Sequence, residues 1–352
     1  MSRKWAGVAA LVRPVGRAQW AMACCLALTL GAILALSAAL GHAELGSAVG
    51  LGFVLTAVPS LPQGLRAGLG VIALRAVTVA VGVLVVVLTV EVPGVHAVAV
   101  VVAAVGGALV DKIGPTAGLV VVLAAIDIGP SEAAHGLPAN VWPYAVGSMT
   151  VLVAWSAWWC AARARRPGEE PAASAPTACP PGRRGHAARV AVAVSVAVLI
   201  AEALPDDLVG GQWLVTSVLL TIQPHRDQTR TRIVQRLGGN TVGALIAAAL
   251  LGAQPPAPVV ISAATVLFVL AMALRPVNYT WWAITGPPVL LIVSEYPELF
   301  PWYEGGVRLA MNLAGAAIVV LVVFGLPRLT PWANRASTKS DSVSKTTKRG
   351  LG

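Results

Sequence analysis

Arginines at the start of oily segments are the first candidates for chemistry. Two such segments read Arg236-Leu-Gly-Gly-Asn240-Thr-Val-Gly243 and Arg308-Leu-Ala-Met-Asn312-Leu-Ala-Gly315, a shared R-x3-N-x2-G pattern. Helical geometry puts the first, fifth and eighth positions of that pattern on one face. A guanidinium is a planar fork whose paired N–H groups match the two oxygens of a carboxylate. Asn240 and Asn312 would add neutral hydrogen bonds one turn deeper. Such a set suits holding an organic anion. A charge at mid-bilayer costs about 2.5–3.5 kcal/mol on insertion scales, which leaves two readings open. Either the arginines line an anion pathway, one near each mouth, or they snorkel to lipid headgroups. The asparagines likewise either face solute or bond helix to helix, and the glycines permit close helix packing.

Arg75 precedes Gly82 by seven residues, as Arg236 precedes Gly243, and both pairs are offset by 161 positions. Val79 stands where the pattern would have asparagine. Arg75 joins the candidate binding residues on this spacing. Gly286 and Pro287 join them from TGPPVLLIV at 285–293. Proline frees backbone groups, so a break is expected there. Unwound backbone at membrane depth is tolerated when it lines a cavity or is buried in protein. It could present a half-helix N-terminus to an anion, or the segment could simply kink. Asp127 is a candidate proton relay, or else an outer-interface acid like Glu202. Most tryptophans read as interface anchors. No histidine pairs into a metal motif, and neither a GxSxG nor a Walker loop occurs. The expectation is a non-enzyme with no cofactor and no metal.

The elements that must position these residues are membrane helices. The chain has 352 residues, 57% of them hydrophobic and 11% charged, against about 25% charged in soluble proteins. The net charge of +10 could suggest nucleic acid, but the basic residues lie between apolar runs and at the ends, so no nucleic-acid partner is expected. The four cysteines form no disulfide or metal spacing and read as small buried hydrophobes. No cleavable signal peptide is recognisable.

At about 20 residues per crossing, the apolar runs predict twelve transmembrane helices in an all-α membrane protein. They are 18–40, 46–61, 68–90, 94–110, 115–131 and 142–162, then 188–204, 208–223, 233–252, 256–274, 279–295 and 307–326. With the N-terminus inside, nearly every Lys and Arg outside the helices falls on the inner side, as the positive-inside rule requires. Both termini are then cytoplasmic, and the arginine-rich stretch at 224–232 is an inner turn. The implied domains are an N-terminal segment 1–17, a six-helix repeat 18–162, a flexible linker 163–187, a second six-helix repeat 188–327 and a basic tail 328–352. Two copies of R-x3-N-x2-G in antiparallel helices suggest that each repeat is itself a 3+3 inverted pair, with the first repeat degenerate.

Residues 188–327 resemble the fusaric acid resistance protein-like (FUSC) family of integral membrane transporters, which includes aromatic acid exporters. The resemblance is carried by GQWLVTSVLLTIQP with Trp213, by the basic turn HRDQTRTRIVQR, by RLGGNTVGA and by VRLAMNLAGAAI. It adds Trp213 to the candidate site. It implies efflux of small organic or aromatic anions across a bacterial inner membrane, driven by the proton gradient or the membrane potential. The partners expected are membrane lipids and the anionic substrate, in either a pseudo-dimeric monomer or a homodimer. A passive anion channel and a non-transporting membrane scaffold are the alternatives.

Overall fold

The computed structural model describes residues 14, 16–61, 64–110, 112–135, 140–165, 183–204, 210–253, 255–295 and 304–326. The tail, most of the linker and most of the N-terminal segment lie outside the described residues. Among the described residues the regular structure is entirely helical. In chain order the helices are α1 Trp20–Ala39, α2 Ala43–Thr56, α3 Leu65–Thr89, α4 Pro93–Leu109, α5 Thr116–His135 and α6 Trp142–Arg165. Then come α7 Arg183–Glu202, α8 Gly210–Thr221, α9 Arg226–Gly252, α10 Ala257–Leu274, α11 Tyr279–Glu295 and α12 Glu304–Val320, which runs on into a π-helical turn at Leu321–Gly325.

Most of the helices are apolar on every side, and burial distinguishes the faces. In α3, Ile72, Ala76, Val79, Val83 and Val86 are buried at helical spacing, while Val77, Val81, Leu84 and Leu88 are exposed. A helix that is oily all round and sheds half its face outward is built for lipid. Seven helices are long and apolar enough to cross a membrane by length and composition. The other five, α2, α4, α5, α8 and α11, are not among them, so among the described residues seven rather than twelve meet that measure, and the second helix of each half is the shortest. The 14 residues of α2 and the 12 of α8 rise only about 21 and 18 Å at 1.5 Å per residue, short of a hydrocarbon core of about 30 Å. The expected spans 46–61 and 208–223 are therefore shorter helices than predicted. Their shortness is tolerated because protein surrounds them: nearly all of α2 from Gly46 to Thr56, and of α8 from Gly210 to Thr221, is buried.

The basic stretch at 224–232 also departs from expectation. Only residues 222–225 turn, and α9 starts at Arg226, so most of these arginines decorate the first turns of a long helix. The end of the bundle holding the start of α1 and α7 and the end of α6 is called the linker end here, and the opposite one the far end. Cys24 and Cys160 are exposed on the outside of the bundle, not buried as expected.

Packing pairs the two halves reciprocally. α1 packs on α10 and α4 on α7, α2 on α6 and α8 on α12, and α3 on α5 and α9 on α11. Glycines set the closest approaches. A Cβ at Gly147 of α6 would lie 2.0 Å from the Val49 carbonyl oxygen of α2, and one at Gly315 of α12 would lie 2.7 Å from the Ser217 hydroxyl of α8. Gly82 of α3 meets Val120 of α5, and Gly243 of α9 meets the Ile284 carbonyl of α11. The spacing that relates Gly82 to Gly243 thus reports the same packing event in each half.

Candidate functional site

α8, α9, α11 and α12 enclose a cavity that gathers most of the candidate residues: Trp213, Arg236, Asn240, Gly286, Pro287, Arg308 and Asn312 all line it. Its empty space is about 660 Å3 counting the open mouth, yet the centre of a water molecule has only about 50 Å3 in which to move. The site is therefore narrow at rest. Among the described residues no acidic side chain lines it.

Asn312 is the hub. Its Oδ1 accepts from Arg236 Nη2 at 3.0 Å and from Asn240 Nδ2 at 2.7 Å, and its own Nδ2 donates to the Arg308 carbonyl at 2.8 Å. Arg236 Nη1 also donates to the Tyr279 hydroxyl at 3.2 Å. The two R-x3-N-x2-G segments therefore meet at their asparagines, with the arginines pointing apart. Arg236 reaches toward Tyr279, which opens α11 at the linker end. Arg308 stacks on the Trp213 ring, 3.8 Å from its centroid, near the start of α8 at the far end. The expectation of one arginine at each mouth becomes two arginines at opposite ends of one cavity. Neither is splayed among headgroups, since Arg236 is 5% exposed and Arg308 7%.

The hydrogen-bond acceptors found for Arg236 are neutral oxygens. A buried cation gains most from a full negative charge, so the guanidinium retains capacity for an anion. Around the same cavity Arg236 Nε, Asn240 Oδ1, Trp213 Nε1 and Thr216 Oγ1 are buried with no hydrogen-bond partner among the described residues. Native interiors leave few such groups, and each marks an unmet interaction.

Gly286 and Pro287 line the cavity without the expected break, because α11 runs unbroken through Pro287 and Pro288. Those prolines deprive the carbonyls of Ala283 and Ile284 of their usual i+4 donors. α9 covers this backbone through its own glycines: a Cβ at Gly239 would lie 2.9 Å from the Ala283 carbonyl carbon, and one at Gly243 would lie 2.5 Å from the Ile284 oxygen. Close Cα–H···O contact is a compensation that needs no unwinding. The half-helix N-terminus reading is set aside.

The remaining candidates lie elsewhere. Arg75 is not among the residues lining this cavity; it lies within electrostatic reach of Arg275. At the corresponding first-half positions, Val79, Val83 and Val86 of α3 and Val122 and Ile126 of α5 are buried apolar side chains. Asp127 is buried within the bundle, among residues near the far ends of α2 and α6. Its carboxylate accepts from Ser47 Oγ at 2.9 Å and from the Tyr144 hydroxyl. Ser47 Oγ also contacts the Val293 carbonyl of α11 at 2.5 Å, which ties this acid to a cavity helix. Glu202 is exposed at the end of α7. Sequence reasoning missed Tyr279 and read Trp282 as an interface anchor, whereas Trp282 lines the cavity; both sit in NYTWWA just after Arg275. An aromatic cluster directly following a loop arginine was the available signal.

Residues 192–322 match the family model described as fusaric acid resistance protein-like. The matched segment contains every residue lining the cavity, and the resemblance read from Trp213, RLGGNTVGA and VRLAMNLAGAAI holds over that range. Among curated proteins, the uncharacterized protein YhfK of Escherichia coli (strain K12) is 30% identical over 140 residues, which is 40% of this chain and 19% of that protein. The chain thus matches about a fifth of the length of that relative. No solved structure matches the chain. The apolar helices and the family match together mark a multi-pass membrane protein, consistent with a transporter or exporter.

Proposed function

We propose that the chain transports small organic anions across a bacterial inner membrane, outward, without enzymatic chemistry. The observation that carries this is Arg236, buried against neutral oxygens in a cavity whose far end holds Arg308 on the face of Trp213. A carboxylate would take the Arg236 fork, and the apolar body of the solute would lie along Trp213 and Trp282. In this reading the chain spans the membrane as two six-helix repeats with cytoplasmic termini. The reciprocal pairing of α1 with α10 and of α4 with α7 supports two repeats that form within one chain what a dimer would form from two.

A membrane potential, negative inside, drives an anion outward by about 2.3 kcal/mol per charge per 100 mV. Asp127, through Ser47 and Val293, is the group on which proton coupling would act. The tight resting cavity favours a carrier, whose helices must shift to pass a solute, over an open channel. The test is export of benzoate from proteoliposomes. Arg236→Ala abolishes it while membrane insertion stays intact, and Arg236→Lys retains a fraction. Unchanged export by Arg236→Ala removes the site.

A further inference from the structure

Toward the linker end, beyond Tyr279, lies a second group of cations that the transport cavity does not include. Arg232 of α9 places its guanidinium over the Tyr279 ring, 3.4 Å from the centroid. Arg275, in the turn between α10 and α11, lies over the Trp282 ring at 4.4 Å. Arg75 of α3 and Arg232 are both within electrostatic reach of Arg275. Thus α9 and the α10–α11 turn bring two guanidiniums onto neighbouring rings of α11, with a third charge on α3 within electrostatic reach. Like charges gathered at a partly buried place repel and carry a desolvation cost. Aromatic faces offset part of it, since each cation–π contact is worth about 0.5–2 kcal/mol. They leave hydrogen-bond donors unused, however. Arg232 Nη1 and Arg75 Nε are buried and have no hydrogen-bond partner among the described residues. Nearby Gln235 Nε2 is already engaged with Asn278 Oδ1 at 3.0 Å.

We propose that Arg232 and Arg275, floored by Tyr279 and Trp282, form a second anion site at the linker end that takes a phosphate group, with Arg75 adding positive charge from α3. Multiple guanidinium forks suit the several oxygens and the double charge of a phosphate monoester better than a monocarboxylate. The phosphate comes either from a lipid headgroup or from a soluble phosphate ester. Tyr279 joins the two sites, because its ring carries Arg232 while its hydroxyl accepts from Arg236. Occupation of the second site thus bears on the arginine of the first, although the site itself stands whether or not the cavity transports.

Binding is read on the purified full chain in phosphatidylcholine nanodiscs. One arm titrates inorganic phosphate by thermal shift and calorimetry. The other exchanges phosphatidic acid for part of the phosphatidylcholine and measures retained phosphatidic acid by native mass spectrometry. The site predicts binding in at least one arm, weakened tenfold or more in Arg275→Gln and in Arg232→Gln and largely kept in Arg232→Lys. Binding to phosphate alone assigns a soluble ester, and binding to phosphatidic acid alone assigns a headgroup. Glu202→Gln, on the exposed end of α7 and outside both sites, leaves both arms unchanged. If a glutamine variant does not fold, Arg275→Lys with competition by phosphate decides the matter. No binding in either arm, or equal binding by wild type and the glutamine variants, overturns the proposal.

Discussion

Replacing Asn312 by aspartate tests the cavity with almost no change of shape. In the wild type a neutral oxygen of Asn312 lies 3.0 Å from Arg236 Nη2. Asn312→Asp puts a full negative charge at that place. With an effective dielectric constant of about 20, charges ~3 Å apart attract by roughly 5 kcal/mol. Desolvation of the new carboxylate takes back a large part of that. Even a remainder of about 1.4 kcal/mol weakens competing anions tenfold. The variant should therefore lose at least nine-tenths of benzoate transport at limiting concentration, with a melting temperature in detergent equal to or above that of the wild type. Asn312→Ala behaves differently. It removes acceptors from Arg236 and Asn240. Side-chain hydrogen bonds between membrane helices average about 0.6 kcal/mol and reach about 1.7, so the protein should melt lower while keeping more transport than the aspartate form. Wild-type transport by Asn312→Asp would refute the assignment of Arg236 to the anion. So would equal losses of transport and stability in both variants, because those follow from damaged packing alone.

Other perturbations have equally definite outcomes. Gly243→Ala forces a Cβ within 2.5 Å of the Ile284 carbonyl and should destabilise by about 1–3 kcal/mol. Gly238→Ala, with nothing within 4 Å, should stabilise by about 0.5–1 kcal/mol; thermal melts in detergent check both. Trp213→Ala strips the aromatic face from Arg308 and should raise KM for aromatic anions about tenfold, corresponding to the upper range of cation–π energies, whereas Trp213→Phe keeps part of it. Asp127→Asn should leave potential-driven export intact and remove its dependence on a proton gradient, as measured with ionophores in proteoliposomes. Identical gradient dependence in that variant excludes Asp127 from coupling.

Most helix positions were legible in the sequence because apolar runs punctuated by Pro, Gly and charge leave little choice of boundary. The runs 256–274 and 279–295 fall within a residue of α10 and α11. The short second helices were overestimated because apolar residues continue past the helix ends into extended chain, as at Ala57 with ψ 133°. Composition reports solubility in lipid and not backbone conformation. The pairing of Asn240 with Asn312 was half legible. The R-x3-N-x2-G pattern has its asparagine in the middle of each segment, and Asn240 and Asn312 are hydrogen-bonded to each other. Which helices pack together is not carried by spacing, so the meeting of Arg236 and Arg308 in one cavity was not legible. Pro287 and Pro288 misled for a related reason: glycines 239 and 243 on a neighbouring helix cover the backbone that those prolines leave bare.

The central claim is that an organic anion binds between Arg236 and Trp213. Anomalous diffraction from crystals grown with 4-bromobenzoate locates such a ligand directly. The account predicts a bromine peak inside the α8–α9–α11–α12 cavity, with the carboxylate on Arg236. Bromine found only at other positions, or saturating ligand with no peak in the cavity, contradicts it.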